Sequence, residues 1–189
     1  ISQRSVGRYR QLASLFKETL SHGIVIGAQS AVDAERFRSI GASAERTQVT
    51  GNVKFDVGVP QSAIDAGLEF RAAHCAERPV WVAGSTHEGE EEQVLDAHAA
   101  VRAAHPQALL VLVPRHPPRF DGVHAWLARK RGLPGVARRS LGESPKPGDA
   151  VYLVDTLGEL NAFYAAGDVA FVGGTLVPIG GHNLLEPAV

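Results

Sequence analysis

From residue 79 onward, short apolar runs alternate with segments of helical length. The runs lie at 79–83, 108–113, 151–154 and 168–172, with a further possible short strand at 136–138. Runs such as LLVLV and VAFV lack the apolar–polar alternation of a half-exposed strand, which favours strands that are covered on both faces. Strands that alternate with helices predict βαβ units. The sequence therefore predicts an α/β fold, with a doubly wound parallel sheet and helices on both faces.

The first sixty residues predict a separate, smaller set of elements. Apolar residues have helical spacing over 3–20, a short strand is predicted at 23–27, and a helix over 31–40 is followed by Gly41 as its C′ residue. Another strand is predicted at 47–50. The glycine- and proline-containing segment at 51–60 is a plausible crossing between domains, so we predict one domain over 1–56 and a second over 57–189.

Charge and composition exclude several classes of protein. The net charge is −1 and the pI is about 6.8, so no strong basic field indicates nucleic-acid binding. The single cysteine, Cys75, excludes a disulfide framework. No apolar run approaches the about 20 residues of a membrane-spanning helix. The chain begins with Ile1 and ends at Val189, where a helix is expected to start, so we expect it to be part of a longer protein.

The stretch FVGGTLVPIGGHNLLEP, residues 171–187, follows the last predicted strand. Two glycine pairs precede His182, Asn183 and Glu186, which are expected at the start of a helix. A strand, a glycine loop and a helix N-terminus together favour a phosphorylated ligand. A carboxylate on the same helix face as Asn183 suits a pair of sugar hydroxyls. One glycine pair alone would more simply be a tight turn with a capping Asn and a surface Glu, but both pairs together favour a ligand site.

Polar segments also follow three other predicted strands, and all four segments are expected at one edge of the sheet. An alternative exists for most of them. Ser85 or Thr86 could cap the next helix with Glu88 in a capping box, Arg115 could pair with a carboxylate, and 157–159 could be an ordinary first helical turn. His87 has no such local role and is expected to point into the cleft. The candidate ligand contacts nearest the strands are Ser85, Thr86, His87, Gly173, Gly174 and Gly181.

No metal or cofactor motif is present in the sequence. His87-Glu88 does not form His-Glu-x-x-His, because the next histidine, His98, comes eleven residues later. The acidic run at 88–92 is instead typical of a first helical turn. P-loop, dinucleotide and nucleophile-elbow signatures are also absent from the sequence. We therefore predict neither a metal nor a cofactor.

Six motifs together resemble the 3-deoxy-D-manno-octulosonic acid (Kdo) transferases in nearly the whole chain and in the family's order. They are TGNVKFD (50–56), GSTHEGEEE (84–92), VPRHP (113–117), DTLGEL (155–160), FVGGT (171–175) and GGHNLLEP (180–187). The resemblance implies a two-domain glycosyltransferase of the GT-B type with a Rossmann-like sugar-nucleotide domain. Residues 1–56 would be the last part of the acceptor-binding domain and its linker, and residues 57–189 would be most of the CMP-Kdo-binding domain.

The resemblance also implies roles for particular residues. Lys54, which the sequence by itself favours as an exposed loop lysine, would stabilise the transition state. The residues that would contact CMP are Pro114, Arg115, Leu157, Gly158, Glu159, Asn183, Leu184, Leu185 and Glu186.

The implied reaction is transfer of Kdo from CMP-Kdo to a lipid A precursor, with inversion, in lipopolysaccharide synthesis. The family's general base and membrane anchor are expected to lie outside this chain, which alone is expected to be inactive. The implied location is the cytoplasmic face of the inner membrane, peripherally or through an N-terminal anchor. Two alternatives stay open: another GT-B enzyme that uses a UDP-sugar, as a transferase or epimerase, and a non-enzymatic nucleotide-binding module.

Overall fold

The structure is a computed structural model that describes residues 5–7, 9, 12–52 and 58–188. The chain divides into two compact units, Ile1–Gly58 and Val59–Val189, and each is described by itself. Within the described ranges, no helix combines the length and the apolar character that crossing a bilayer requires.

Within residues 12–52, the first unit contains two helices and a pair of parallel strands. In chain order these are α1 (Ala13–Ser21), β1 (Ile26–Ala28), α2 (Ala31–Arg38) and β2 (Thr47–Val49), and Ile26 pairs with Thr47 in the register. The strand predicted at 23–27 is shorter and lies nearer the C-terminus than expected.

Both ends of α2 are capped by local hydrogen bonds. The backbone N–H of Asp33 donates to Ser30 Oγ at 3.1 Å. After the last turn, the N–H of Gly41 donates to Arg38 O and that of Ala42 donates to Phe37 O. Gly41 has a φ of +110°. This arrangement is a Schellman motif, and it confirms Gly41 as the C′ residue.

The second unit is built on a five-stranded sheet. Its elements are α3 (Gln61–His74), β3 (Val80–Thr86), α4 (Glu90–Ala104), β4 (Leu109–Pro114), α5 (Phe120–Arg129), β5 (Val136–Arg138), β6 (Val151–Leu153), α6 (Leu160–Ala166) and β7 (Val169–Val172), with 3-10 turns at Pro117–Arg119, Arg139–Leu141 and Glu186–Ala188. The strand order is β5-β6-β4-β3-β7, and all neighbouring strands are parallel. The predicted parallel α/β sheet is confirmed.

The core lies on both faces of this sheet. Leu109, Val111 and Val113 of β4 pack with Phe163 of α6 on one face. Leu110 and Leu112 of the same strand pack on the other face, against residues of α4 and α5. Every residue of β4 is buried. The absence of alternation in LLVLV is therefore explained by cover on both sides, as predicted.

Helix α3 is not among the predicted elements. It packs against α6, and the contact is so close that a Cβ on Gly67 would collide with the backbone carbonyl of Ala162 and come within 2.9 Å of Ala165 Cβ. A glycine in mid-helix lowers helix propensity, which obscures this helix in the sequence. Close packing against α6 explains why a glycine occupies this position.

Three polar side chains tie the elements of the second unit together: Arg78 and His98 are buried, and Asp168 is exposed. The Arg78 guanidinium donates to the backbone carbonyls of residues 107, 146 and 149. His98 accepts from Trp81 Nε1 at 2.9 Å through Nδ1, and its Nε2 lies 2.9 Å from Ala150 O. Asp168 accepts from Val80 N and pairs with the Arg71 guanidinium. These contacts satisfy charges and ring nitrogens that burial would otherwise penalise.

The helix that was predicted to start within 182–186 is not observed in the described residues. Asn183 Oδ1 accepts from Leu185 N at 3.1 Å, which forms a turn, and only the 3-10 turn Glu186–Ala188 follows. A short polar side chain that bonds the backbone two residues ahead competes with helix formation.

Candidate functional site

The ends of β3 and β7 meet where the strand order reverses. β4 lies on one side of β3 and β7 on the other, so ligands are expected beyond the carboxyl ends of this pair. Gly84 pairs with Val172, and the N–H of Gly173 donates to Gly84 O at 2.8 Å. A Cβ on Gly173 would collide with Ser85 O. Close approach of two backbones therefore accounts for Gly173 without any ligand.

The loop after β7 is held by a buried carboxylate from α4. Glu90 is 0% exposed. Its Oε1 accepts from the N–H groups of Thr175 and Leu176, and its Oε2 accepts from those of Gly174 and His87. Burial acts to raise the pKa of Glu90, but these four backbone donors outweigh it, and the pKa lies below its usual value. The N–H group of Gly174, the second residue of the first glycine pair, therefore has an internal anion as its partner.

Three histidines meet at the same edge. His87 Nε2 lies 2.6 Å from His182 Nε2, with the rings stacked at 4.9 Å between centroids, so one hydrogen lies between the two nitrogens. The His116 ring lies edge-on to His87 at 5.2 Å. Burial, followed by the charges of His182 and His116, lowers the pKa of His87. His87 is buried with its ring against that of His182, and its contact with a ligand stays a prediction.

The capping roles expected for Ser85, Thr86 and Glu88 are wrong. Helix α4 begins at Glu90 after Gly89, which has a φ of +91° and forms no side-chain cap. Ser85 is buried with a φ of +56°, at a β-bulge that shifts the pairing of β3 with β4. Thr86 is 0% exposed, and its hydroxyl donates to Glu91 Oε1 at 2.9 Å. In a capping box, the glutamate side chain accepts from the backbone N–H three residues earlier. Glu90, and not Glu88, makes such a contact, because it accepts from the His87 N–H.

Arg115 lies in the short loop after β4. Its backbone N–H donates to Thr86 O at 2.9 Å, which fixes the loop against the end of β3, while Pro114 is buried in the strand. The Arg115 side chain is exposed. Among the described residues it has no hydrogen bond or ion pair, so the alternative of a carboxylate partner is not observed.

The segment 157–159 lies directly before α6. Leu157 is 75% exposed, and Gly158 has a φ of +83°. Glu159 accepts from Arg139 at 2.7 Å and from the Thr156 hydroxyl, and its pairing with Arg139 lowers its pKa. The Glu159 carboxylate thus has protein partners before any ligand binds. Together with Arg139 it lines a cavity of about 350 Å³ between α3 and α6.

The last motif lies beside α6. Asn183, Leu184 and Glu186 are exposed and Leu185 is half-buried. Burial, and then the charge of Glu186, raises the pKa of Tyr164 to about 12. The Tyr164 hydroxyl lies against Gly84, where a Cβ would collide with it. The 3-10 turn that contains Glu186 contacts α6.

The structure places the predicted residues along one edge but not in one closed cavity. The backbone of Arg115 is fixed against Thr86 at the end of β3, and the 3-10 turn that contains Glu186 contacts α6, which itself contacts β3. Neither residue lines the cavity between α4 and α5 or the cavity between α3 and α6. Gly181 donates to Gly174 O at 2.7 Å and joins the two glycine pairs. Lys54 lies outside the described residues, so its role stays a prediction.

The acidic run at 88–92 contains a site residue that the sequence prediction missed. Three consecutive helical residues cover about 200° of the helix circumference. At least one of Glu90, Glu91 and Glu92 must therefore face the sheet on which α4 packs. Two of them, Glu90 and Glu91, are buried. Within the ranges that the structure describes, no group of three or more His, Cys, Asp or Glu side chains is arranged to hold a metal ion.

Comparison with known proteins identifies relatives of both units. A family model described as "3-Deoxy-D-manno-octulosonic-acid transferase (kdotransferase)" matches residues 1–57. A 3-deoxy-D-manno-octulosonic acid transferase of Haemophilus influenzae is 40% identical over 99% of this chain and 43% of its own length. One of Bordetella pertussis is 42% identical over 93% of this chain and 40% of its own length. The chain thus spans less than half the length of these relatives.

Two further relatives bear on the second unit and on the breadth of the family. A bifunctional glycosyltransferase/methyltransferase of Fusobacterium nucleatum is 38% identical over 99% of this chain and 29% of its own length. The crystal structure of the C-terminal CMP-Kdo binding domain of WaaA from Acinetobacter baumannii has a TM-score of 0.63 and 39% identity, covering 68% of this chain and 66% of that one. The predicted fold, a parallel α/β sheet of the GT-B type, is thereby confirmed. With similarity that extends over nearly its whole length, this chain belongs to the 3-deoxy-D-manno-octulosonic acid transferase family.

Proposed function

We propose that this chain contributes the sugar-nucleotide site of a glycosyltransferase that moves Kdo from CMP-Kdo to a lipid A precursor. The observation that carries the proposal is the similarity in sequence and fold to a solved CMP-Kdo binding domain. The exposed polar residues that the resemblance assigns to CMP lie along the carboxyl edge of the same sheet. That edge is where ligands bind in open α/β folds.

Arg115 and Glu186 are the best placed of these residues to bind the nucleotide. Both side chains are exposed, and neither has a side-chain hydrogen bond or ion pair among the described residues. A free guanidinium suits a phosphate or the cytosine carbonyl, because it presents several donors in one plane. A free carboxylate suits the two ribose hydroxyls, because it accepts two hydrogen bonds. The other predicted contacts are Pro114, Leu157, Gly158, Glu159, Asn183, Leu184 and Leu185.

The proposed chemistry is direct displacement at the anomeric carbon of Kdo. An acceptor hydroxyl forms the new C–O bond while the bond to CMP breaks, and inversion follows from attack opposite the leaving group. A glutamate of the family's N-terminal domain takes the hydroxyl proton. Lys54 stabilises the negative charge that develops on the departing phosphate. The acceptor, the role of Lys54 and a location at the cytoplasmic face of the inner membrane all rest on family membership.

Calorimetric titration of the full chain with CMP tests the nucleotide site. Arg115→Ala and Glu186→Ala should each weaken CMP binding by roughly 1.5–3 kcal/mol, since each removes a charge-assisted contact. Arg131→Ala and Glu77→Ala are matched controls, because both residues are exposed and lie near the opposite edge of the sheet, after α5 and before β3. Unchanged CMP affinity in both test variants would end the proposal.

Competition with UMP decides between donor classes. A UDP-sugar donor is the alternative that the sequence leaves open, because other GT-B enzymes bind such donors. We expect CMP to bind more tightly than UMP. A preference for UMP would replace the proposed donor with a UDP-sugar.

A further inference from the structure

We propose that Glu90 is a positioning residue of the donor site: its buried carboxylate holds the loop after β7 and the loop after β3 in the one arrangement that binds nucleotide. The inference rests on the proposed function, which it deepens by naming a residue that the family resemblance does not assign. Glu90 contacts no ligand itself. It acts through the backbone segments that carry the edge of the site.

The contacts of Glu90 join two parts of the chain that are far apart in sequence. Its carboxylate accepts from Gly174 N at 2.8 Å, Thr175 N at 3.1 Å and Leu176 N at 3.0 Å, all in the loop after β7. It also accepts from His87 N at 2.8 Å, in the loop after β3. The residue numbers of Glu90 and Gly174 differ by 84. The four hydrogen bonds that this buried anion accepts therefore fix the relative position of the two loops.

This arrangement extends to the histidine pair. Gly174 packs against the His182 ring so closely that a Cβ there would lie 3.2 Å from Cδ2 and Nε2, and Gly174 O accepts from Gly181 N at 2.7 Å. Glu90 thus holds His87 by its backbone and His182 through Gly174 and Gly181. The 2.6 Å contact between the two imidazoles follows from this arrangement.

The chemistry of the contact requires a carboxylate. All four partners are N–H donors, so each oxygen must accept two hydrogen bonds, and an ionised carboxylate can do so. A glutamine would turn an NH₂ group towards at least one of these donors, leaving buried N–H groups unpaired. The carboxylate occupies the N–H group of Gly174, and the N–H group of Gly173 donates to Gly84 O, so neither N–H of the first glycine pair is available to a donor phosphate. The phosphate must then be bound by side chains such as Arg115.

Two substitutions and one control test the inference in the full chain. Glu90→Gln should weaken CMP binding at least about tenfold. This is the effect expected when one charge-assisted hydrogen bond between residue 90 and the loop backbone is lost. Glu90→Ala should also lose affinity and regain at least half of the lost binding free energy when acetate is added, because acetate can occupy the vacated space and accept the same N–H groups. Glu91→Gln is the matched control. Glu91 is the adjacent buried carboxylate, and its hydrogen-bond partners among the described residues are the Thr86 hydroxyl and the Arg119 guanidinium.

Nitrogen-15 spectra of the imidazoles provide a readout that does not depend on CMP. In the native chain, the hydrogen shared by His87 and His182 should give one protonated and one unprotonated Nε2. Glu90→Gln should abolish this pairing, whereas Glu91→Gln should keep it. A purely local effect on helix stability would alter both variants alike and would leave acetate without effect on CMP affinity.

The outcomes separate this inference from the proposed function. Native CMP binding that persists unchanged in Glu90→Gln would overturn the positioning role alone. Absence of CMP binding by the native chain would overturn the proposed function, and the imidazole spectra would still decide whether Glu90 organises the pair. Global unfolding of Glu90→Gln under conditions in which Glu91→Gln folds would also overturn the inference, because Glu90 would then support the whole sheet and not its edge.

Discussion

Gly67 lies where α3 and α6 approach most closely, and adding one methyl group there should destabilise the second unit. A Cβ at this position would collide with the carbonyl oxygen of Ala162 and lie 2.9 Å from Ala165 Cβ. Neither atom can rotate away, because one belongs to the backbone and the other is attached directly to it. Relief of the contact requires the two helices to move apart.

The expected magnitude is the difference between two opposing effects. Replacing a helical glycine with alanine favours the helix by about 0.8–1 kcal/mol. Overpacking a close contact costs roughly 1–3 kcal/mol. Since the collision is with backbone, we take the upper half of that range, and Gly67→Ala should lower the free energy of unfolding by roughly 1–2 kcal/mol.

Gly122 in α5 provides the matched control. It is an exposed helical glycine, and no atom lies within 4 Å of a Cβ built there. Gly122→Ala should therefore raise the free energy of unfolding by roughly 0.5–1 kcal/mol, from propensity alone. Urea denaturation followed by circular dichroism measures both variants. If Gly67→Ala proved as stable as Gly122→Ala, the helix contact as described would be incorrect.

Two further predictions concern buried polar side chains. Burial lowers the pKa of His98 to about 4, and its Nδ1 must stay unprotonated to accept from Trp81. The folded pKa is thus below the unfolded value of about 6.5, so the contribution of His98 is complete above about pH 6.5 and is lost as the pH falls towards 4. The difference in unfolding free energy between the native chain and His98→Gln, measured from pH 7 to pH 4, should shrink; a constant difference would contradict this. Arg78→Lys should lower the unfolding free energy by roughly 2–4 kcal/mol, since one ammonium group cannot reach the three carbonyls that the guanidinium spans. Denaturation without loss of stability would show that those contacts are dispensable.

The sequence predicts the sheet well because burial on both faces leaves a local signal. Leu109 to Val113 and Val151 to Leu153 are continuous apolar runs, and each is a strand in the structure. Helix α3 lacks such a signal, because its decisive feature is Gly67, whose partner Ala162 is 95 residues away by position number. Because this contact is distant in sequence, the reason for a glycine at position 67 is apparent only once the fold is known.

Part of the site can also be predicted from the sequence. Strand ends in a parallel sheet share one edge, so residues such as Arg115 and His87 could be placed there by topology alone. The capping roles of Ser85 and Thr86 fail because the bulge at the end of β3 delays the start of α4 to Glu90. Three of the four partners of Glu90 come from a loop whose position depends on β7, and no local pattern indicates these three.

The position of β7 next to β3 has a consequence for the order of folding. These neighbours are joined across a separation of 88 residues, as the hydrogen bond from Val80 N to Asp168 shows. Closing this segment costs more conformational entropy than pairing β3 with β4, in which Val80 pairs with Leu109, 29 positions later (109 − 80). During synthesis, β3, β4 and β6 can assemble well before β7 has left the ribosome. Nucleotide-binding competence should therefore be the last property that the nascent protein acquires.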